Sequence, residues 1–222
     1  MKVAFADVFR ESFTLPTPDG LALEAELRLP EHPRAAAVLT HPDPTQGGNM
    51  RSMVPGLLAR ALPLQGVATL RFNFRGAGTS DPPSRSTDPE EPGEQIDVKA
   101  AVDRLYAIAE GLPLVLCGSS FGADTALCVA DHRIAAWCAM APPLRDAKLP
   151  MMVDAGVSDR AKLLVVAERD QFRLPQDVLR VTEHWHNTEV LTISGADHFF
   201  VGRTDQVIEA CGAFVAKVAA GE

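Results

Sequence analysis

Three side chains in this sequence have the types and the order needed to transfer an acyl group: Ser120, Asp170 and His198. Ser120 is the middle residue of Gly118-Ser-Ser-Phe-Gly122. The apolar run 112–117 before it reads as a buried strand, and Ala123, Ala126, Leu127 and Ala130 after it share one helical face. Strand, Gly-x-Ser-x-Gly and helix together form a sharp, strained turn that exposes the middle serine at its tip. Glycine at both ends lets strand and helix pass close to each other because it has no Cβ. Ser119 holds the variable position of the motif and is the weaker candidate.

A serine hydroxyl is a weak nucleophile and needs a neutral imidazole to take its proton. Histidine suits because it titrates near working pH. A buried carboxylate then sets the ring tautomer and steadies the imidazolium. Asp170 follows the apolar run 163–167, and His198 follows the run 190–193. Glu168 and Asp197 are rival acids, but Asp197 adjoins the histidine, and neighbouring side chains on an extended chain diverge. Activity should fall in mild acid as the base takes a proton. The developing oxyanion needs aimed donors, each worth roughly 3–4 kcal/mol. The amide of Phe121 is one. The loop after residues 35–40 should supply the other; Pro42 and Pro44 have no amide hydrogen, so Asp43 is the first choice and Gln46 or Gly47 the fallback. An acid beside an oxyanion requires the Asp43 side chain to point away.

These groups need strand ends to hold them. Residues 21–29 alternate apolar and polar, as a half-buried strand does. With residues 13–16 and the turn Pro18-Asp19-Gly20 they predict an antiparallel hairpin. Residues 35–40 are continuously apolar, the mark of a strand covered on both faces. Asn49 is expected to cap a helix over 50–62 with Met53, Leu57, Leu58 and Leu62 on one face. A strand over 67–74, a helix over 94–110 (Ile96, Ala100, Leu105 and Ile108 inward), and the strand–serine–helix unit to about His132 follow. Then come strands over 134–140, 163–167 and 190–193, with helices over 176–186 and 205–219. Residues 81–93 hold four prolines among polar residues and read as an exposed loop. Alternating strands and helices mean a doubly wound, mostly parallel α/β sheet with an antiparallel start, in which reactive groups gather at the carboxyl ends of the strands.

The 222 residues suit a single domain, 1–222, with a sizeable core. A net charge of −8 argues against a nucleic-acid or anionic-membrane partner. No run is long enough to span a membrane, and residues 1–10 do not read as a secretory leader. Cys117, Cys128, Cys138 and Cys211 sit in apolar segments without metal-ligand spacing, and are expected to be reduced and buried in a cytoplasmic protein. His41 is expected to organise its loop, and Arg75 to close a structural hydrogen-bond net rather than touch substrate. The last helix could pack on the core or form a homodimer.

Over nearly its full length the chain resembles the α/β-hydrolase fold family, closest to small, lidless bacterial serine hydrolases near the dienelactone hydrolases and acyl peptidases. The residues that carry this are His41-Pro-Asp-Pro with Gly47-Gly48, residues 70–80 from Leu70 to Ser80, Gly118-Ser-Ser-Phe-Gly122 and Gly195-Ala-Asp-His-Phe-Phe200. The resemblance implies Ser120 as nucleophile, Asp170 as acid, His198 as base, and ester hydrolysis without cofactor or metal. Dienelactone hydrolases use a cysteine nucleophile, so their substrate does not carry over. Only about twenty residues follow the strand at 134–140 where larger members insert a cap. Leu144, Leu149, Met151 and Met152 could form a small apolar wall or plain core. An open cleft for a small ester with a short acyl chain is expected. The alternatives are a peptidase or thioesterase with the same triad, a peroxide-dependent perhydrolase, and a non-catalytic binding scaffold.

Overall fold

The computed structural model describes residues 8–82 and 92–221. The reading of residues 1–7 as no leader and most of the proline-rich loop, 83–91, lie outside the described residues.

The alternating segment forms one half of a long hairpin. Strands β1 (Val8–Pro16) and β2 (Ala22–Pro30) pair antiparallel from Val8↔Pro30 to Pro16↔Ala22. Thr17 closes the turn: its hydroxyl donates to Asp19 Oδ1 at 2.6 Å and accepts from the Leu21 amide at 2.9 Å. The remaining strands are β3 (Ala35–Thr40), β4 (Val67–Phe72), β5 (Leu114–Ser119), β6 (Ile134–Met140), β7 (Ala161–Ala167) and β8 (Thr188–Ile193). They complete one eight-stranded sheet in the order β1-β2-β4-β3-β5-β6-β7-β8. β2 meets β4 antiparallel, and from β4 to β8 every pairing is parallel.

Continuous apolar runs became strands buried on both faces. In β5, Leu114 and Leu116 point into one core and Val115 and Cys117 into the other. The first core lies beneath α2 (Gly93–Ile108) and α3 (Phe121–Leu127); the second lies beneath α1 (Met53–Ala61) and α6 (Thr204–Ala220). Two short helices, α4 (Val153–Val157) and α5 (Pro175–Val181), sit in the last third of the chain. The cysteines are buried and unpaired.

Helix ends moved where tertiary contacts claimed backbone groups. α1 starts at Met53, not at residue 50; ahead of it the Met50 amide donates to Asn73 Oδ1 at 2.7 Å. Asn49 therefore does not cap the helix; its Oδ1 accepts from the Arg51 amide two residues on. Met53 is 50% exposed rather than core. α3 stops at Leu127, well short of His132, and the Trp137 indole donates to the Ala126 carbonyl at 3.2 Å near that end. Along α2 the expected face is largely kept: Ala100 and Leu105 are buried and Ile108 packs on the core, while Ile96 is only half-buried and Asp97, on the same side, is buried against Arg75. α5 ends at Val181, five residues early, and Trp185 beyond it packs on the core.

Buried polar networks tie the hairpin to the parallel sheet. Glu26, 2% exposed, accepts from Arg10 at 2.6 Å, Arg28 at 2.8 Å and Arg71 at 3.1 Å. Burial raises its pKa, but the three guanidiniums outweigh burial and bring it from 4.5 down to about 2. A depressed carboxylate contributes stability that is complete above its unfolded pKa and is lost as pH falls through its folded pKa. Glu26→Gln is therefore expected to cost about 1.5–3 kcal/mol at neutral pH. In urea titrations that gap should close between about pH 4.5 and 2. A gap of constant size across this window would rule the network out as its source.

Candidate active site

The serine lies on a strained backbone. Ser120 has φ +54° and ψ −119°, a conformation that L-residues with a side chain rarely adopt. Its amide donates to the Met140 carbonyl at 2.9 Å, which ties the turn to β6. The two glycines of the motif make the turn possible. A Cβ on Gly118 would lie 2.5 Å from Ala123 Cα, and one on Gly122 would lie 2.6 Å from the His41 carbonyl oxygen. The Thr40 hydroxyl also donates to the Gly122 carbonyl at 2.9 Å.

His198 Nε2 stands 2.8 Å from Ser120 Oγ, and His198 Nδ1 stands 2.7 Å from Asp170 Oδ2. A carboxylate only accepts, so this contact places a ring proton on Nδ1 and leaves Nε2 to accept from the serine. Asp170 and His198 are 3% and 5% exposed. The other Asp170 oxygen accepts from the Phe172 amide at 2.8 Å, which holds the carboxylate in register. Phe172 and Phe199 pack on the imidazole, with centroids at 4.5 Å and 5.3 Å.

The rival acids have other partners. Glu168 accepts from the Gly195 amide at 2.6 Å, and Asp197 accepts from the amides of Phe199 and Val201 at 3.1 Å. Both shape the turn that carries His198.

In the loop after β3 most amides are occupied. Those of Gln46 and Gly48 donate to the Asp43 carbonyl, that of Gly47 to the Pro44 carbonyl, and that of Thr45 to Asp43 Oδ1. Among the described residues of this loop, Asp43 keeps an amide with no hydrogen bond. Its side chain turns back onto Thr45, whose hydroxyl donates to Oδ1 at 2.7 Å. The Phe121 amide, at the start of α3, has no partner within the helix. His41 fixes the loop from below: the Phe74 amide donates to Nε2 at 2.9 Å, so Nδ1 carries the proton given to the Pro42 carbonyl at 2.6 Å. Burial lowers the His41 pKa to about 4 and keeps the ring neutral. Arg75 is 4% exposed and held by Asp97 at 2.7 Å and Asp19 at 2.9 Å, a structural net away from the serine.

A cleft of about 430 Å³ opens over Ser120 and His198. Met53, Val54, Pro143, Phe172, Phe199 and Val201 form its apolar lining, and Asp43 and Arg145 its fixed charges. Of the two readings of residues 144–152, wall or plain core, the second holds: Leu144 and Met152 are buried in the core, and Leu149 and Met151 pack against it. Phe172 and Arg145 gave no periodic signal, because a cleft is lined by single residues from several loops. Among the described residues, no cluster of three or more His, Cys, Asp or Glu side chains could hold a metal ion, and no helix is long and apolar enough to cross a membrane.

Gly118→Ala and Gly122→Ala each drive a methyl into backbone that has to move. Each is expected to cost roughly 1–3 kcal/mol, read as a drop of several degrees in Tm; an unchanged melt would show that the approach of β5 and α3 is not tight.

With this geometry in view, likeness to known proteins falls on the same elements. The family described as "Alpha/beta hydrolase domain" matches residues 33–214. The chain is 26% identical over 191 residues to the uncharacterized protein RP471 of Rickettsia prowazekii, covering 82% of this chain and 79% of that protein. An alpha-beta serine hydrolase homologue from Coxiella burnetii is 29% identical, with a TM-score of 0.81 over 92% of this chain and 97% of that one. XC6422 from Xanthomonas campestris, an a/b serine hydrolase without lid, is 28% identical, with a TM-score of 0.76 over 94% of each chain. Family match, sheet order and the serine turn after β5 agree: the chain belongs to the α/β-hydrolase family, among its lidless serine hydrolases.

Proposed function

We propose that this hydrolase cleaves carboxylic esters with short acyl chains through Ser120, His198 and Asp170. The observation that carries the reading is the unbroken contact Asp170–His198–Ser120, at 2.7 Å and 2.8 Å, on the floor of an open apolar cleft. Ser120 Oγ attacks the carbonyl carbon while its proton passes to His198 Nε2. The tetrahedral intermediate collapses, the alcohol leaves with that proton, and an acyl-enzyme remains. Water then repeats the two transfers and releases the acid. Asp170 keeps the ring in the tautomer that presents Nε2.

The oxyanion is received by the amides of Phe121 and Asp43. Support for Asp43 over Gln46 or Gly47 comes from the loop, where the latter two amides are already donated to carbonyls. The Asx turn onto Thr45 engages one oxygen of the Asp43 carboxylate. The same triad could serve a thioester or an amide; the cleft's apolar lining suits an acyl chain and does not distinguish the leaving group.

Intact mass after a fluorophosphonate probe tests the nucleophile. One adduct on wild type and none on Ser120→Ala is expected; an unlabelled, folded wild type would favour a binding scaffold. Asp170→Asn should lower kcat on short p-nitrophenyl esters by about 10⁴-fold through the wrong tautomer.

A further inference from the structure

We propose that Arg145 is the anchor for an anionic group on the substrate, so that the preferred esters carry a carboxylate close to the scissile bond. This rests on the ester-hydrolase reading above and assigns the substrate a chemical class.

Arg145 lines the same cleft as Ser120 and His198. The remaining lining among the described residues, apart from Asp43, carries no fixed charge. Among the described residues its guanidinium makes no hydrogen bond; the nearest carboxylate oxygen, Asp43 Oδ2, is 3.9 Å away. Asp43 partly offsets the charge, but its Oδ1 is committed to Thr45. The donors of Arg145 thus remain open to a ligand, in a fork whose geometry matches a carboxylate. Elsewhere the fold pairs its buried guanidiniums closely, as Arg71 with Glu26 at 2.9 Å and Arg75 with Asp97 at 2.7 Å.

The position of Arg145 is built. Asp124, buried in α3, accepts from the amides of Leu144 at 2.8 Å and Arg145 at 3.2 Å. Burial raises the pKa of Asp124, and these contacts oppose the shift. From the other side Arg173 donates to the carbonyls of Pro143 at 2.8 Å and Leu144 at 2.7 Å. Leu144 takes φ +46°, which a leucine adopts only when its surroundings impose it. A buried carboxylate, a clamp and a strained residue hold this segment, and the side chain they deliver to the cleft is a cation. It faces the ring of Phe121, 5.9 Å from Cζ to centroid, with Lys148 Nζ 4.4 Å from the same centroid. Lys148 is turned to Thr125, 3.1 Å from Nζ to Oγ1, and both cations act on the buried Asp124 carboxylate, so of the two it is Arg145 that lines the cleft.

The anion could sit on the acyl side or on the leaving group, and two substrate pairs separate these. The first pair is p-nitrophenyl butyrate and the p-nitrophenyl monoester of glutaric acid. The second is phenyl butyrate and meta-butyryloxybenzoate. The quantity read is the ratio of kcat/KM, anionic over neutral, within each enzyme, so a general loss cancels. Arg145→Met is expected to lower the ratio by about 10-fold or more in one pair, the loss of a charged hydrogen-bond partner. Arg145→Lys should retain more of it than Arg145→Met. A ratio that moves by less than about twofold in both pairs overturns the proposal. So does an equal loss in the two variants, which would assign the effect to packing on Phe121. Neutral esters cleaved with an unchanged ratio leave the hydrolase reading intact. A wild type that cleaves no member of either pair overturns both.

Discussion

Ser120 sits at a backbone conformation that costs on the order of 1–3 kcal/mol, and most of the surrounding structure can be understood as what holds it there. The amide of Ser120 is bonded to β6, and the strand before it is buried on both faces. The helix after it approaches β5 within a distance that only glycine permits at 118, and the chain at 40–41 within a distance that only glycine permits at 122. Release any of these and the turn relaxes toward an ordinary strand-to-helix connection, with the hydroxyl no longer at the tip. The strain persists because the two apolar cores lock β5 from either side.

Around that point the fold places polar groups where a sheet edge would otherwise leave them unmatched. His41 bridges the ends of β3 and β4 as a neutral ring, accepting from Phe74 and donating to Pro42. Asn73 accepts from the Met50 amide ahead of α1 and is itself held by Glu24 of β2, to which its side-chain amide donates. Arg75 binds Asp97 and Asp19, and so joins α2 to the turn of the N-terminal hairpin. Burying each of these without partners would cost several kcal/mol; satisfied, they make the loops at this edge rigid enough to hold a site. The antiparallel hairpin is thus part of the scaffold of the cleft, although it contributes no lining residue.

Among the described residues no domain covers the cleft, and the selectivity they supply comes from the rim. The rim combines an apolar surface from Phe172, Phe199, Met53 and Val201 with the cation of Arg145, whose segment is held by Asp124 and Arg173. The segment after β6, where larger relatives would carry a cap, instead buries Leu144 and Met152 in the core and turns Pro143 and Arg145 outward. It acts as a strap that closes the core and presents two residues.

The sequence by itself determined the strand series, the hairpin and the place of the serine turn. Those are written in short-range patterns: period two in β2, unbroken apolar runs in β3 and β5, glycines at 118 and 122. It also placed Asp170 and His198 after successive strands, because a parallel sheet brings every such end to one edge. The ends of helices were less legible. Asn49 looks like a cap, but α1 begins only at Met53, and the Met50 amide between them goes to Asn73, far off in sequence. Asp97 lies on the inward face of α2 between Ala100 and Ile108, and only its pairing with Arg75, which local pattern does not show, lets a carboxylate sit there. Only the tertiary structure decided which acid meets His198, which amide in the loop 42–49 stays unused, and that Arg145 borders the cleft while Leu144 and Met152 pack as core. These outcomes depend on contacts between residues tens of positions apart, and local periodicity carries no information about such contacts.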